Sequence, residues 1–342
     1  FISILFDSEL HKKIISKILD LYKKAGITSV QDNTWEPFTV RLLQKLHADN
    51  ALTSRFSSWS QGGTAFLPAF NLLTSFKKDD KWIYHDIIKY YADGAFSTRT
   101  AWLNEPYNND PKNFGKPRYT KAELDEIVMN AAKDRKRLAI HALGDRAVSE
   151  VLNAIEKAQE KYPWTKDLRF RLEHIQLVVP EDIPRMKKLG VVACLQPFAL
   201  CTPLKDIQIL GEKRAQAAYP YKSLFKAGIS VSFGSDAPAE VDFEPLLGIY
   251  YAVTRKDKDG KEGPLNDRES YTPYEALYSY TMGSAYAEFL ENQKGSITKG
   301  KLSDLVILSD DILSVKKEKI KDIKVLMTVA GGRIVFGDPS GL

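Results

Sequence analysis

Two histidines and one aspartate stand where apolar, strand-like runs end. His141 closes Leu138-Ala139-Ile140, His174 closes Phe170-Arg171-Leu172-Glu173, and Asp236 follows the run from Ile229 to Phe233 through Gly234-Ser235. Read singly, each histidine is as well explained by a satisfied structural role. Read together, two imidazoles and a carboxylate at equivalent strand ends match the ligand set of a divalent metal such as zinc. Lys89 belongs with them because it lies inside Ile87-Ile88-Lys89-Tyr90-Tyr91, where an unpaired ammonium is costly to bury. Alone it would snorkel to the surface; beside cations, carboxylation of its amine would make it an anionic ligand able to bridge two ions. Of the other histidines, His11 and His47 fall in polar helical surroundings and read as surface residues, and His85, just ahead of the Ile87 strand, reads as structural. Asp145 follows Gly144 at a helix start and reads as an N-cap.

The elements that must position these residues alternate. Strand-like runs occur at Ile27 to Val30, Thr53 to Trp59, Ile87 to Ala92, Leu138 to His141, Phe170 to His174, Val191 to Gln196 and Ile229 to Phe233. Helical patterns separate most of them. Leu10, Ile14, Ile15, Ile18, Leu19 and Tyr22 recur at helical spacing after Ser8, and Val148, Val151, Leu152 and Ile155 mark one face after Gly144-Asp145. Thr120-Lys121-Ala122-Glu123 has the form of a capping box, as does Thr272-Pro273-Tyr274-Glu275, and Gly190 stops a helix that starts at Pro180. Strand, helix, strand at this spacing requires a parallel sheet, since a parallel crossover needs a helix-length return. The seven strands are one short of a (β/α)8 TIM barrel, whose active sites gather at the C-terminal ends of the strands. From Gly295 the pattern changes to glycine-rich turns and short strands at Leu305 to Leu308, Val325 to Val329 and Arg333 to Phe336.

Composition excludes several classes. At 342 residues, with 44% hydrophobic and 27% charged side chains, the chain is neither disordered nor membrane-embedded, and no apolar run reaches the roughly 18 residues of a membrane span. The formal charge of +5 is spread among acids, as in Lys256-Asp257-Lys258-Asp259, without the basic stripe of a nucleic-acid binder. The expected partner is a small-molecule substrate, with neither nucleic acid nor membrane, and with self-association into a homo-oligomer left open. Cys194 and Cys201 form no metal-binding or redox pair and read as structural thiols of a reducing, cytoplasmic compartment.

Five stretches together resemble the amidohydrolase superfamily, in the amidohydrolase-3 branch that includes N-substituted formamide deformylase and exoenzyme regulatory protein-like sequences. They are Gly26-Ile27-Thr28-Ser29-Val30-Gln31-Asp32, Lys89 through Asp93-Gly94 to Arg99-Thr100-Ala101, His141-Ala142-Leu143-Gly144-Asp145-Arg146-Ala147, Arg171-Leu172-Glu173-His174, and Gly234-Ser235-Asp236-Ala237-Pro238. The run from Gly295 to Val306 resembles the same branch, where such strands complete a β-sandwich. The resemblance implies metal-activated hydroxide attacking a non-peptide amide-type C–N bond. It implies that His141 and His174 hold one metal, that Lys89 is a carboxylated bridge, and that Asp236 binds a second metal and moves the proton, with zinc expected in one or two ions.

The chain departs from the family in lacking a His-x-His pair and in reading Gln196-Pro197-Phe198 where many relatives carry a histidine near Phe198. The first residue is Phe1, and the missing pair and missing strand together lead to the expectation of an upstream segment outside this sequence. The expected division is 1–294 for a metal-dependent hydrolase barrel carrying strands two to eight, and 295–342 for the C-terminal part of a composite β-sandwich. Arg99, Tyr107, Gln176 and Arg268 are candidates for substrate contact on loops at the active-site end, with a solvated or structural role as the alternative for each. A catalytically inactive regulatory or binding protein on the same barrel is the alternative, because a fold does not guarantee a function.

Overall fold

The computed structural model describes residues 8–33, 37–63, 66–77 and 80–341. The opening apolar residues from Phe1 lie outside the described residues. The chain forms two compact units, one of residues 1–89, 297–311 and 323–342, the other of residues 90–296 and 312–322. Residues 1–89 thus group with the C-terminal strands.

In the first unit, helix α1 (Ser8–Lys24) leads to strand β1 (Ser29–Asp32), helix α2 (Pro37–Ala48) to β2 (Arg55–Ser58) and β3 (Ser60–Gln61), and α3 (Phe66–Leu73) to β4 (Ile83–Tyr84) and β5 (Ile87–Tyr91). β1, β2 and β4 form a parallel sheet, and β3 pairs in parallel with the start of β5, Gln61 opposite Lys89. Its core is Leu19, Leu43, Leu46, Leu52, Phe56 and Ile83. The apolar stripe read on α1 is only partly used, because Leu19 is buried while Leu10, Ile14 and Ile18 are exposed.

The second unit continues from the end of β5 through α4 (Lys121–Lys133), β6 (Arg137–Ala142), α5 (Asp145–Lys161), β7 (Arg171–His174), α6 (Asp182–Leu189), β8 (Val192–Leu195), α7 (Pro203–Leu210), α8 (Glu212–Ala215), α9 (Tyr221–Lys226), β9 (Ser230–Phe233), α10 (Pro245–Thr254), α11 (Pro273–Tyr278) and α12 (Ser284–Ala287). Strands β6 to β9 are adjacent in chain order and parallel throughout. Both capping boxes form, at Thr120 with Glu123 and at Thr272 with Glu275, and Pro273 takes the first helical turn. The face read on α5 is the buried one, with Val148, Val151 and Leu152 fully buried and Ile155 nearly so. Gly190 ends α6 at φ 70°, a conformation that costs other residues a clash at Cβ.

The last strands return to the first unit. β10 (Leu305–Leu308), β11 (Val325–Ala330) and β12 (Arg333–Phe336) make an antiparallel sheet in that order. A buried ion pair ties it to β2, with Arg55 Nε 2.7 Å from one oxygen of Asp304 and a second guanidinium nitrogen 2.9 Å from the other. Among the described residues no helix is long and apolar enough to cross a membrane.

Candidate active site

The C-terminal ends of β6 and β7 bring His141 and His174 together, their ring centroids 4.4 Å apart. Strand pleating alone would keep them apart. The register pairs His141 with Glu173 and Ala142 with His174, so the two histidines start on opposite faces of the sheet. His174 escapes the alternation by taking φ 81°, and Ile175 follows at φ 46°. A positive φ swings Cβ about the N–Cα bond and turns the ring toward His141. Two consecutive non-glycine residues in the left-handed region, one of them β-branched, carry backbone strain of the kind that collects at functional sites.

His141 is aimed by its own partners. Its Nε2–H donates to the Gly94 carbonyl at 2.9 Å, and an oxygen of Asp93 lies 3.4 Å from the same nitrogen. A neutral ring that donates from Nε2 carries its lone pair on Nδ1, which is the protonation state a metal ligand needs, held by the kind of backbone and carboxylate contact that fixes ligating histidines. The chemistry of this pair fits a zinc-like ion.

Asp93 is the residue that sequence reading passed over. It lay within a quoted motif and received no role. Its side chain is fully buried and accepts N–H bonds from Trp102 (2.9 Å), Leu143 (3.0 Å) and Gly144 (2.9 Å). Burial pushes its carboxyl up to about 7, against the pull of these three donors and the Arg118 charge. One carboxylate thus joins the end of β5, the loop before α4 and the start of α5 beneath His141. The available signal was the spacing of Lys89 and Asp93, an acid just past the strand that carries the lysine. Gly144 is required here because a Cβ would lie 2.2 Å from the Trp102 carbonyl oxygen. With glycine at the N-cap, Asp145 is the first helical residue rather than the cap, and it receives the backbone N–H and side-chain amide of Asn104 at 3.0 and 3.1 Å.

Asp236 stands exposed in the turn after β9 at φ 62°. Its charge reaches Glu240, whose carboxyl is pushed up by burial and by Asp236. Among the described residues no three His, Cys, Asp or Glu side chains form a group that could hold a metal, so the preassembled element is the histidine pair. Lys89, in the first unit, is 6% exposed and shares one face of its strand with buried Ile87, while its carbonyl accepts from Gly62 at 2.9 Å.

Tyr107 is 1% exposed, and its hydroxyl donates to the Ala101 carbonyl at 2.9 Å. Gln176 is buried, and its backbone carbonyl accepts from Tyr219 at 2.7 Å. Arg99 is half-buried at φ 54°, and Arg268 is exposed on a short helical turn. His85 is structural, its Nδ1 2.6 Å from the Ser58 carbonyl and its ring against Phe70 and Phe76. His47 stacks on Trp82 at 5.6 Å. Cys194 and Cys201 are both unbridged.

Residues 5–336 match the model of an amidohydrolase family. The chain belongs to the amidohydrolase family. YtcJ of Bacillus subtilis (strain 168), which carries the name of an amidohydrolase, is 35% identical over 262 residues, covering 76% of this chain and 49% of that protein. The N-substituted formamide deformylase of Arthrobacter pascens is 28% identical over 248 residues, covering 72% of this chain and 44% of the deformylase. Among solved structures, an uncharacterized metal-dependent hydrolase of Pyrococcus horikoshii OT3 superimposes with a TM-score of 0.80 at 26% identity, over 92% of this chain and 63% of that one. This amidohydrolase-family chain thus spans about half the length of the curated relatives it matches. Its parallel α/β architecture is that of the family's barrel, accompanied by an antiparallel C-terminal sheet.

Proposed function

We propose that this amidohydrolase-family chain carries the metal site of a hydrolase acting on non-peptide amide C–N bonds. The observation that supports it most is the contact of His141 with His174 at 4.4 Å, which a strained backbone maintains. Two imidazoles facing each other in a largely buried place repel once both are protonated, so a shared divalent ion is the partner that suits them. When bound, such a metal, zinc being the expected one, supplies a Lewis acid that acidifies water and polarises a carbonyl.

The chain's own groups have separable tasks. His141 and His174 would hold the ion, with Asp93 and the Gly94 carbonyl fixing the ring of His141. Lys89, an amine buried on β5, would serve as the carboxylated ligand. Asp236, exposed after β9, would take a proton from water and deliver it to the departing amine. The nature of the deformylase relative favours small N-substituted amides as substrates.

The assignment of Asp236 is tested in the full-length protein by Asp236→Asn, which keeps the shape and removes the proton acceptor. Turnover of N-substituted amides should fall by roughly two to four orders of magnitude, as for loss of a general base, with the melting temperature unchanged. Turnover close to the unsubstituted level would remove Asp236 from proton transfer.

A further inference from the structure

Gln196 directly follows β8, the strand that lies between those leading to His174 and to Asp236. It is 7% exposed, and most of its polar groups are satisfied. The Tyr221 hydroxyl donates to its backbone carbonyl at 3.0 Å, and its Nε2 donates to the Cys194 carbonyl at 3.2 Å. The following chain is fixed as well, because Pro197 opens a short 3-10 turn and Tyr221 is fully buried. The exception is Oε1, which is buried and has no hydrogen-bond partner. Leaving a buried acceptor unpaired costs about 1–3 kcal/mol, so such an atom in a native fold calls for an explanation.

The geometry points to Gln196 as a substrate-contacting, specificity-determining residue whose Oε1 accepts the N–H of a secondary amide. This rests on the amide-hydrolase reading above. The Cys194 contact fixes which end of the side-chain amide is bonded within the strand and leaves Oε1 as the unbonded end. A neutral carbonyl in a buried place suits a neutral donor, since a cation there would be desolvated without a counter-charge. An amide N–H supplies that donor, and a tertiary amide does not. Gln196 would therefore separate the two classes, because a site built to pair a polar group discriminates against an analogue lacking it.

The test compares N-butylformamide with N-butyl-N-methylformamide on the full-length protein. Dissociation constants are read by ligand-observed NMR, and formate release is followed separately. The unsubstituted protein should bind the secondary amide more tightly. Gln196→Met, similar in size but without the carbonyl, should reduce that preference by roughly tenfold, the worth of one hydrogen bond. Gln196→Glu, at a pH low enough to protonate the new carboxyl, keeps a donor for Cys194 and an acceptor for the substrate and should restore most of the preference. Equal affinity of the unsubstituted protein for both amides, binding of neither, or equal weakening of both by Gln196→Met would each overturn the assignment. A binding preference without formate release would refute the amide-hydrolase reading and leave the role of Gln196 standing.

Discussion

Two buried carboxylates, one in each unit, show how differently the same group is used. Asp304 meets the full fork of Arg55, their side chains 5% and 2% exposed, and it also accepts the Gly331 N–H at 2.8 Å. Charge is cancelled where it is buried, and the pair staples the C-terminal strands to β2. At Asp93 the Arg118 guanidinium donates to the backbone carbonyl, at 3.3 Å, while three backbone N–H groups and an imidazole surround the carboxylate. That environment leaves the carboxyl pushed up to about 7, next to a histidine whose partner ring is 4.4 Å away. A carboxylate matched to a guanidinium holds a fold together; one matched to dipoles and an imidazole sets the orientation and protonation of that imidazole.

Substitution should break this contrast in graded steps. Asp304→Ala leaves Arg55 buried without its counter-charge and should cost about 3–5 kcal/mol in chemical denaturation, with the metal content of the molecules that remain folded unchanged. Asp93→Asn replaces an acceptor of three N–H groups with a side chain that presents one oxygen and an NH2. It should cost less stability, about 1–3 kcal/mol, yet lower kcat by at least roughly tenfold because His141 loses its carboxylate. A drop in kcat no greater than the lost folded fraction would make Asp93 a strut like Asp304. Thr120→Ala removes a cap of α4 and should cost about 1 kcal/mol with kcat and metal content unchanged, which sets the scale of a purely structural loss in the same unit.

The sequence carried much of this arrangement, and the parts it concealed have physical causes. Strand ends at His141 and His174 were legible because an apolar run stops at a polar, ligand-type residue, and both capping boxes were legible because their donors and acceptors lie three residues apart. The turn of His174 onto the face of His141 was not, since nothing in its side chain announces φ 81°. Asp93 was hidden because its partners, Leu143 and Gly144, are about fifty residues away and contribute only backbone. Tyr107 read as open to either a substrate contact or a structural role, and its hydrogen bond to the Ala101 backbone is one that no side-chain pattern encodes. The grouping of residues 1–89 with the C-terminal strands comes from contacts between residues far apart in the chain, among them Arg55 and Asp304, 249 positions apart.

The account stands most directly on one measurement, the divalent metal bound per chain in the purified full-length protein and in its His141→Asn, His174→Asn double variant. If the histidine pair holds the ion, the unsubstituted protein contains at least one tightly held metal per chain, and the double variant loses at least one while retaining its melting temperature in the presence of chelator. A full-length protein without stoichiometric metal, or a folded double variant with its metal content intact, would contradict the assignment.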